Sequence, residues 1–181
     1  TVLGAFFLAA CAQMTFSIPQ LSQVPFSMQT FAVLVLGSLV GALAPISVLL
    51  YIGMGCAGAP FFAGGTHVCY GSTTGYLIGF FLASIVAAVL CTKTGYDRRW
   101  LLNIVIMIIA SLIILVSGLL WLAFVLPAIG FSAAFMKGVL PFLLGDAIKL
   151  LVAALLVPAV WKITFVVRAK LQSLLIAREA Q

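Results

Sequence analysis

WLLNIVIMIIASLIILVSGLLWLAFVL, residues 100–126, contains no Asp, Glu, Lys or Arg. A helix that crosses a membrane needs about 20 mostly apolar residues, because the hydrocarbon layer is about 30 Å thick. This run exceeds that length and reads as a transmembrane helix. The rest of the chain is built the same way: 65% of its 181 residues are hydrophobic and 7% are charged. Soluble domains are about one-quarter charged, so this chain has too little polar surface to face water.

Further apolar runs lie on both sides of the first. Before it come Val2 to Met14, Gln29 to Leu43, Ile46 to Cys56 and Thr74 to Leu90; after it comes Val139 to Val167. Between the first two runs, Ser17 to Pro25 is polar and punctuated by proline, which stops a helix. Ala44-Pro45 is expected to end the second run, and Pro158 to kink or end the membrane part of the last. The second and third runs are short for full spans, which predicts tilted or sheltered helices. The expected fold is an all-α integral membrane protein of about six transmembrane helices, forming a single transmembrane domain over residues 1–181. The first run, without a basic leading region, is not expected to be a cleavable signal.

Charge orients the spans. Lys93, Arg98 and Arg99 follow the fourth run, and Lys162, Arg168, Lys170 and Arg178 follow the sixth, so seven of nine basic residues fall on one side. The positive-inside rule makes that side cytoplasmic, with both termini inside. Topology thus accounts for the net charge of +6 without a nucleic-acid partner. The weakly charged segments 16–28, 57–73 and 127–138 then face outward. Irregular backbone near hydrocarbon must be buried or line a cavity, which predicts an outward-facing pocket beneath these loops.

Asp146 and Lys149 are the leading candidates for chemistry. A three-residue offset puts both on one helix face, and Lys149 lies roughly 12 Å along the helix from Pro141. A charge at such depth costs about 3 kcal/mol, so the pair should face protein or water. It can act as a ligand clamp, with an acceptor beside a donor, or as a self-neutralising structural ion pair. Gly71-Ser72-Thr73-Thr74-Gly75-Tyr76 precedes the fourth helix, where Ser and Thr can cap the helix or Thr73, Gly75 and Tyr76 can line a pocket. His67 and Lys137 are further candidates for an anionic group, against the alternative of solvated loop residues. Ala5 and Ala9 form a small-residue stripe suited to close helix packing, internally or against a partner subunit.

Other chemistries find little support. The chain has one His and three acidic residues and lacks a Ser/His/Asp arrangement, so catalysis is not expected. The four cysteines, Cys11, Cys56, Cys69 and Cys91, form no C-x-x-C pair, which argues against a metal cofactor. They are expected to be inert thiols, although Cys56 and Cys69 could both reach the outer face and pair. No G-x-x-x-x-G-K-[ST] loop occurs, so any ATP-driven step needs another chain.

Four segments in order resemble the BioY family, the biotin-specific S-components of energy-coupling-factor (ECF) importers. Val24-Pro25-Phe26-Ser27-Met28-Gln29-Thr30 resembles V-P-[IF]-[ST]-x-Q-T, and Gly58-Ala59-Pro60-Phe61-Phe62-Ala63-Gly64-Gly65 resembles G-x-P-V-F-A-G-G. Residues 71–80 resemble G-P-T-G-G-Y-L-[IF]-G-F, and Leu144-Gly145-Asp146-Ala147-Ile148-Lys149 resembles P-G-D-x-[IL]-K. Ser72 stands where the family usually has Pro, and Thr74 where it usually has Gly. The resemblance implies an S-component-like bundle in the cell membrane that captures biotin outside, with a transmembrane coupling protein and two ATPases as partners. It implies that Asp146 and Lys149 bind the polar end of biotin while Thr73, Gly75, Tyr76, Phe62 and His67 surround it. It also places Ala5 and Ala9 against the coupling protein. The competing readings are a vitamin other than biotin, a membrane scaffold, and a secondary transporter.

Overall fold

The computed structural model describes residues 1–18, 20–22, 24–67, 69–94, 100–125 and 130–179. Its helices are α1 (Val2–Gln13), α2 (Gln29–Leu39), α3 (Leu43–Cys56), α4 (Thr74–Thr94), α5 (Trp100–Leu120), α6 (Phe131–Gly138) and α7 (Phe142–Glu179). A short antiparallel pair, β1 (Thr15–Phe16) and β2 (Phe26–Ser27), joins α1 to α2, with Thr15 opposite Ser27 and Phe16 opposite Phe26. Six of the seven helices are the expected apolar runs.

Among the described residues, three helices are long and apolar enough to cross a bilayer: residues 74–92, 101–125 and 142–173. At 1.5 Å per residue, the 12, 11 and 14 residues of α1, α2 and α3 reach only about 17–21 Å. They are sheltered instead. Helix α2 buries Gln29, Thr30 and every residue from Ala32 to Ser38, and it lies at the centre of the bundle against α4 and α7. Gly37 allows the close approach, since a Cβ there would sit 2.7 Å from that of Ala87 on α4. Helix α1 packs on α3, and α4 on α5. In the apolar centre, Ser38 Oγ donates to Asn103 Oδ1 at 3.4 Å, and Asn103 Nδ2 donates to the carbonyl of Ala154 at 3.3 Å. This polar knot ties α2, α5 and α7 where no water competes. Leu101, Val105, Leu112, Leu151 and Leu155 point outward and are more than half exposed, as a lipid-facing band requires.

Several boundaries differ from expectation. Pro45 does not stop a helix. It is the third residue of α3, where the backbone N–H has no intrahelical partner to lose. The turn falls instead at Gly41, whose φ of +56° suits glycine. Pro158 lies inside α7, which continues to Glu179. Helix α5 passes into a π-helical turn, Trp121–Val125. Part of the outer loop read at 127–138 is helix α6. Cys56 and Cys69 form a disulfide with Cα atoms 5.2 Å apart; the inert-thiol expectation fails for this pair. Cys11 and Cys91 are buried, as expected of apolar thiols. Arg98 and Arg99, which helped to orient the chain, lie outside the described residues.

Candidate functional site

A cavity of about 250 Å³ lies where α2, α4 and α7 converge beneath the loops. Val24, Pro25, Ser27, Gln29 and Thr30 form one wall, contributed by the residues just before β2, by β2 and by the start of α2. Phe62, Ala63 and Thr66 form the roof. Gly71, Ser72 and Thr73 lead into Tyr76, Leu77 and Phe80 of α4. Ile114 of α5 and Phe142, Asp146 and Lys149 of α7 close the remaining side.

Asp146 and Lys149 stand one helical turn apart, and Lys149 Nζ donates to Asp146 Oδ1 at 2.9 Å. Their side chains are 5% and 14% exposed, so Lys149 does not extend to the surface. Burying such a pair is costly unless each charge is satisfied. Both groups keep hydrogen-bonding capacity toward the cavity, since an ammonium has three donors and a carboxylate about four acceptor positions. The pair can therefore hold each other and a ligand together.

The opposite wall is polar without formal charge. Ser27 Oγ donates to Gln29 Oε1 at 2.8 Å, and Gln29 Nε2 donates to the hydroxyl of Tyr51. This relay fixes the orientation of the Gln29 amide. The segment from Val24 to Thr30 carries the family resemblance, yet a role for Ser27, Gln29 or Thr30 does not follow from the sequence alone. Two polar residues at the mouth of an apolar helix were the available signal.

The turn before α4 divides between the two functions foreseen for it. Ser72 and Thr73 line the cavity, while Thr74 stitches the turn. The Gly71 N–H donates to Thr74 Oγ1 at 2.8 Å, and that hydroxyl donates to the carbonyl of Cys69 at 2.7 Å. A glycine at 74 could make neither bond. Trp121 Nε1 donates to the Gly71 carbonyl at 2.9 Å from the π turn, a brace the sequence did not reveal. Tyr76 lends the cavity its ring, because its hydroxyl donates to the carbonyl of Gly138.

Five candidate residues sit elsewhere. Gly75 does not line the cavity; a Cβ there would lie 2.2 Å from Cβ of Trp121 and 2.8 Å from the Ser117 carbonyl oxygen. It is a packing residue between α4 and the end of α5. Gly75→Ala is expected to destabilise the protein by about 1–3 kcal/mol through overpacking, seen as a lower thermal midpoint in detergent. His67 is exposed and outside the lining, as is Lys137 on α6. Ala5 and Ala9 are 0% and 7% exposed within the chain itself; the outward residues of α1 include Leu3, Phe6 and Phe7.

A bundle of apolar helices around a small, roofed cavity that contains one buried ion pair defines a membrane-embedded binding protein for a small polar-headed ligand. The sequence profile of the BioY family matches residues 1–165, and the chain belongs to that family. It is 40% identical over 148 residues to the biotin transporter BioY of Thermotoga maritima, covering 77% of this chain and 82% of the relative. It is 34% identical over 149 residues to the probable biotin transporter BioY of Pyrococcus horikoshii, covering 80% and 83%. The fold matches the crystal structure of the S-component for biotin from an ECF-type ABC transporter. The TM-score is 0.81 at 21% identity, over 89% of this chain and 88% of that one.

Proposed function

We propose that this chain is the biotin-binding S-component of an ECF-type importer. It captures biotin outside the cell membrane for ATP-driven uptake by a transmembrane coupling protein and two ATPases. The single observation that carries this reading is the buried Asp146–Lys149 pair facing an otherwise mostly apolar cavity. Biotin's ureido ring presents two N–H donors and one carbonyl acceptor, which a carboxylate beside an ammonium complements. Its thiophane ring and valeryl chain suit Phe62, Tyr76, Leu77, Phe80 and Phe142. The wall at Ser72 and Thr73 is the remaining polar lining near α4 for the valerate carboxylate, since His67 and Lys137 lie outside the cavity.

The protein acts by binding, without catalysis. Lys162, Arg168 and Lys170 cluster in the C-terminal part of α7, beyond Pro158, which supports cytoplasmic termini and an outward cavity. A disulfide beside the cavity supports the same orientation, because disulfides persist in oxidising compartments.

Thermal denaturation of detergent-purified protein tests the substrate. Biotin at a hundred times its dissociation constant should add about 2.7 kcal/mol of apparent stability. Stabilisation by riboflavin or thiamine but not biotin would keep the class and change the vitamin. No stabilisation by any small ligand would favour a scaffold.

A further inference from the structure

Gln13 of α1 supplies the polar attachment of the cavity roof to that helix. Gln13 is the last residue of α1, and its Nε2 points at three consecutive backbone carbonyls: Pro60 at 3.2 Å, Phe61 at 3.4 Å and Phe62 at 3.3 Å. One amide group with two hydrogens is shared among these three and, at 3.5 Å, the Ala9 carbonyl of its own helix, so the backbone of the roof is wound around a single donor. Phe62 continues from that turn into the cavity lining, where its ring meets Tyr51 edge-on with centroids 5.5 Å apart. Phe61 stacks on the same Tyr51 ring at 6.4 Å and also rests edge-on against Phe6 of α1, at 5.6 Å. The roof is thus attached to α1 by a polar and an aromatic contact, and to the cavity through Phe62.

We propose that Gln13 is a positioning residue: its donor groups hold the 60–62 turn so that Phe62 covers the bound ligand, and they set how long the ligand stays. The ligand part of this rests on the biotin reading above; the hold on the roof does not. What the site requires at position 13 is a hydrogen-bond donor aimed at carbonyl oxygens. Gln13→Glu keeps the shape but sets acceptors against acceptors. Gln13→Met keeps the length without a donor. Gln13→Lys restores donors, and because position 13 is exposed the longer chain is accommodated.

Two measurements on the full chain test this. Hydrogen–deuterium exchange of the 60–66 segment, without ligand, should quicken in the Glu and Met variants and return toward wild type in the Lys variant. Release of labelled biotin should quicken about tenfold in the first two, the effect of losing roughly one hydrogen bond, with recovery in the third. Unchanged exchange in the Glu variant overturns the hold on the roof. Faster exchange with unchanged release overturns its role in ligand residence. If wild type ignores biotin while exchange follows the donor pattern, the hold stands and the biotin reading falls. Loss in all three variants equally would mark position 13 as structural and overturn the donor requirement.

Discussion

Exchanging the two charges, Asp146→Lys with Lys149→Asp, is expected to leave a folded protein that no longer holds biotin. An ion pair that only neutralises itself should tolerate the swap, because the same two groups remain one turn apart on α7. A clamp should not, because donor and acceptor then face the wrong atoms of the ureido ring. Hydrogen bonds to charged groups contribute about 1.5–3 kcal/mol each. Losing one at the upper end weakens binding roughly a hundredfold, and mismatching both weakens it further. Single replacements are less informative: Asp146→Ala leaves the Lys149 ammonium buried without its partner, which costs about 3–5 kcal/mol of stability. The neutral double variant Asp146→Leu, Lys149→Met serves as a second control, since apolar replacement of a buried pair is often close to neutral for folding. Biotin binding by calorimetry, with thermal midpoints alongside, separates the two roles. Wild-type affinity in the swapped protein would refute the clamp.

What the sequence made legible follows from where the information sits. Apolar runs report burial in lipid directly, so all six were visible, and the Asp146–Lys149 pair stood out because charge at that depth is expensive. Their grouping with Phe62, Thr73 and Tyr76 was legible only through the resemblance, because convergence of distant segments is a tertiary property. Gly75 was misplaced for a related reason: glycine marks a close approach without saying to what, and here the neighbour is Trp121 rather than a ligand. Pro45 was misread because a helix tolerates proline in its first turn. Gln13 and Trp121 escaped notice because their partners are backbone carbonyls far away in sequence, Pro60 to Phe62 and Gly71, and no side-chain pattern announces such contacts. The alanines of α1 were legible as a close-packing stripe, and of the two uses open to it, internal packing or a partner subunit, the fold buries Ala5 and Ala9 within the chain.

Replacing both bridged cysteines, Cys56→Ser with Cys69→Ser, is the second large effect to expect. The bridge has a sequence separation of 13 and closes the loop that carries Phe62, Ala63 and Thr66. A closed loop of about 15 residues stabilises by about 3 kcal/mol, chiefly by restricting the unfolded chain. The gain extends to the site, because Cys69 also offers its carbonyl to Thr74 at 2.7 Å, and Thr74 holds the turn that presents Thr73. Without the bridge, the roof and the start of α4 lose a shared anchor, and ligand-free ordering of the cavity should fall with it. The double variant should therefore unfold at a lower temperature and bind biotin several-fold more weakly. Reducing agent should reproduce both changes in wild type and neither in the variant. Maleimide labelling of intact cells gives the orientation at the same time. Cys56 and Cys69 should react from outside only after reduction, whereas Cys11 and Cys91, buried between helices, should react only after denaturation. Labelling of Cys56 and Cys69 without reduction would show the bridge absent in the cell and remove its support for an outward-facing cavity.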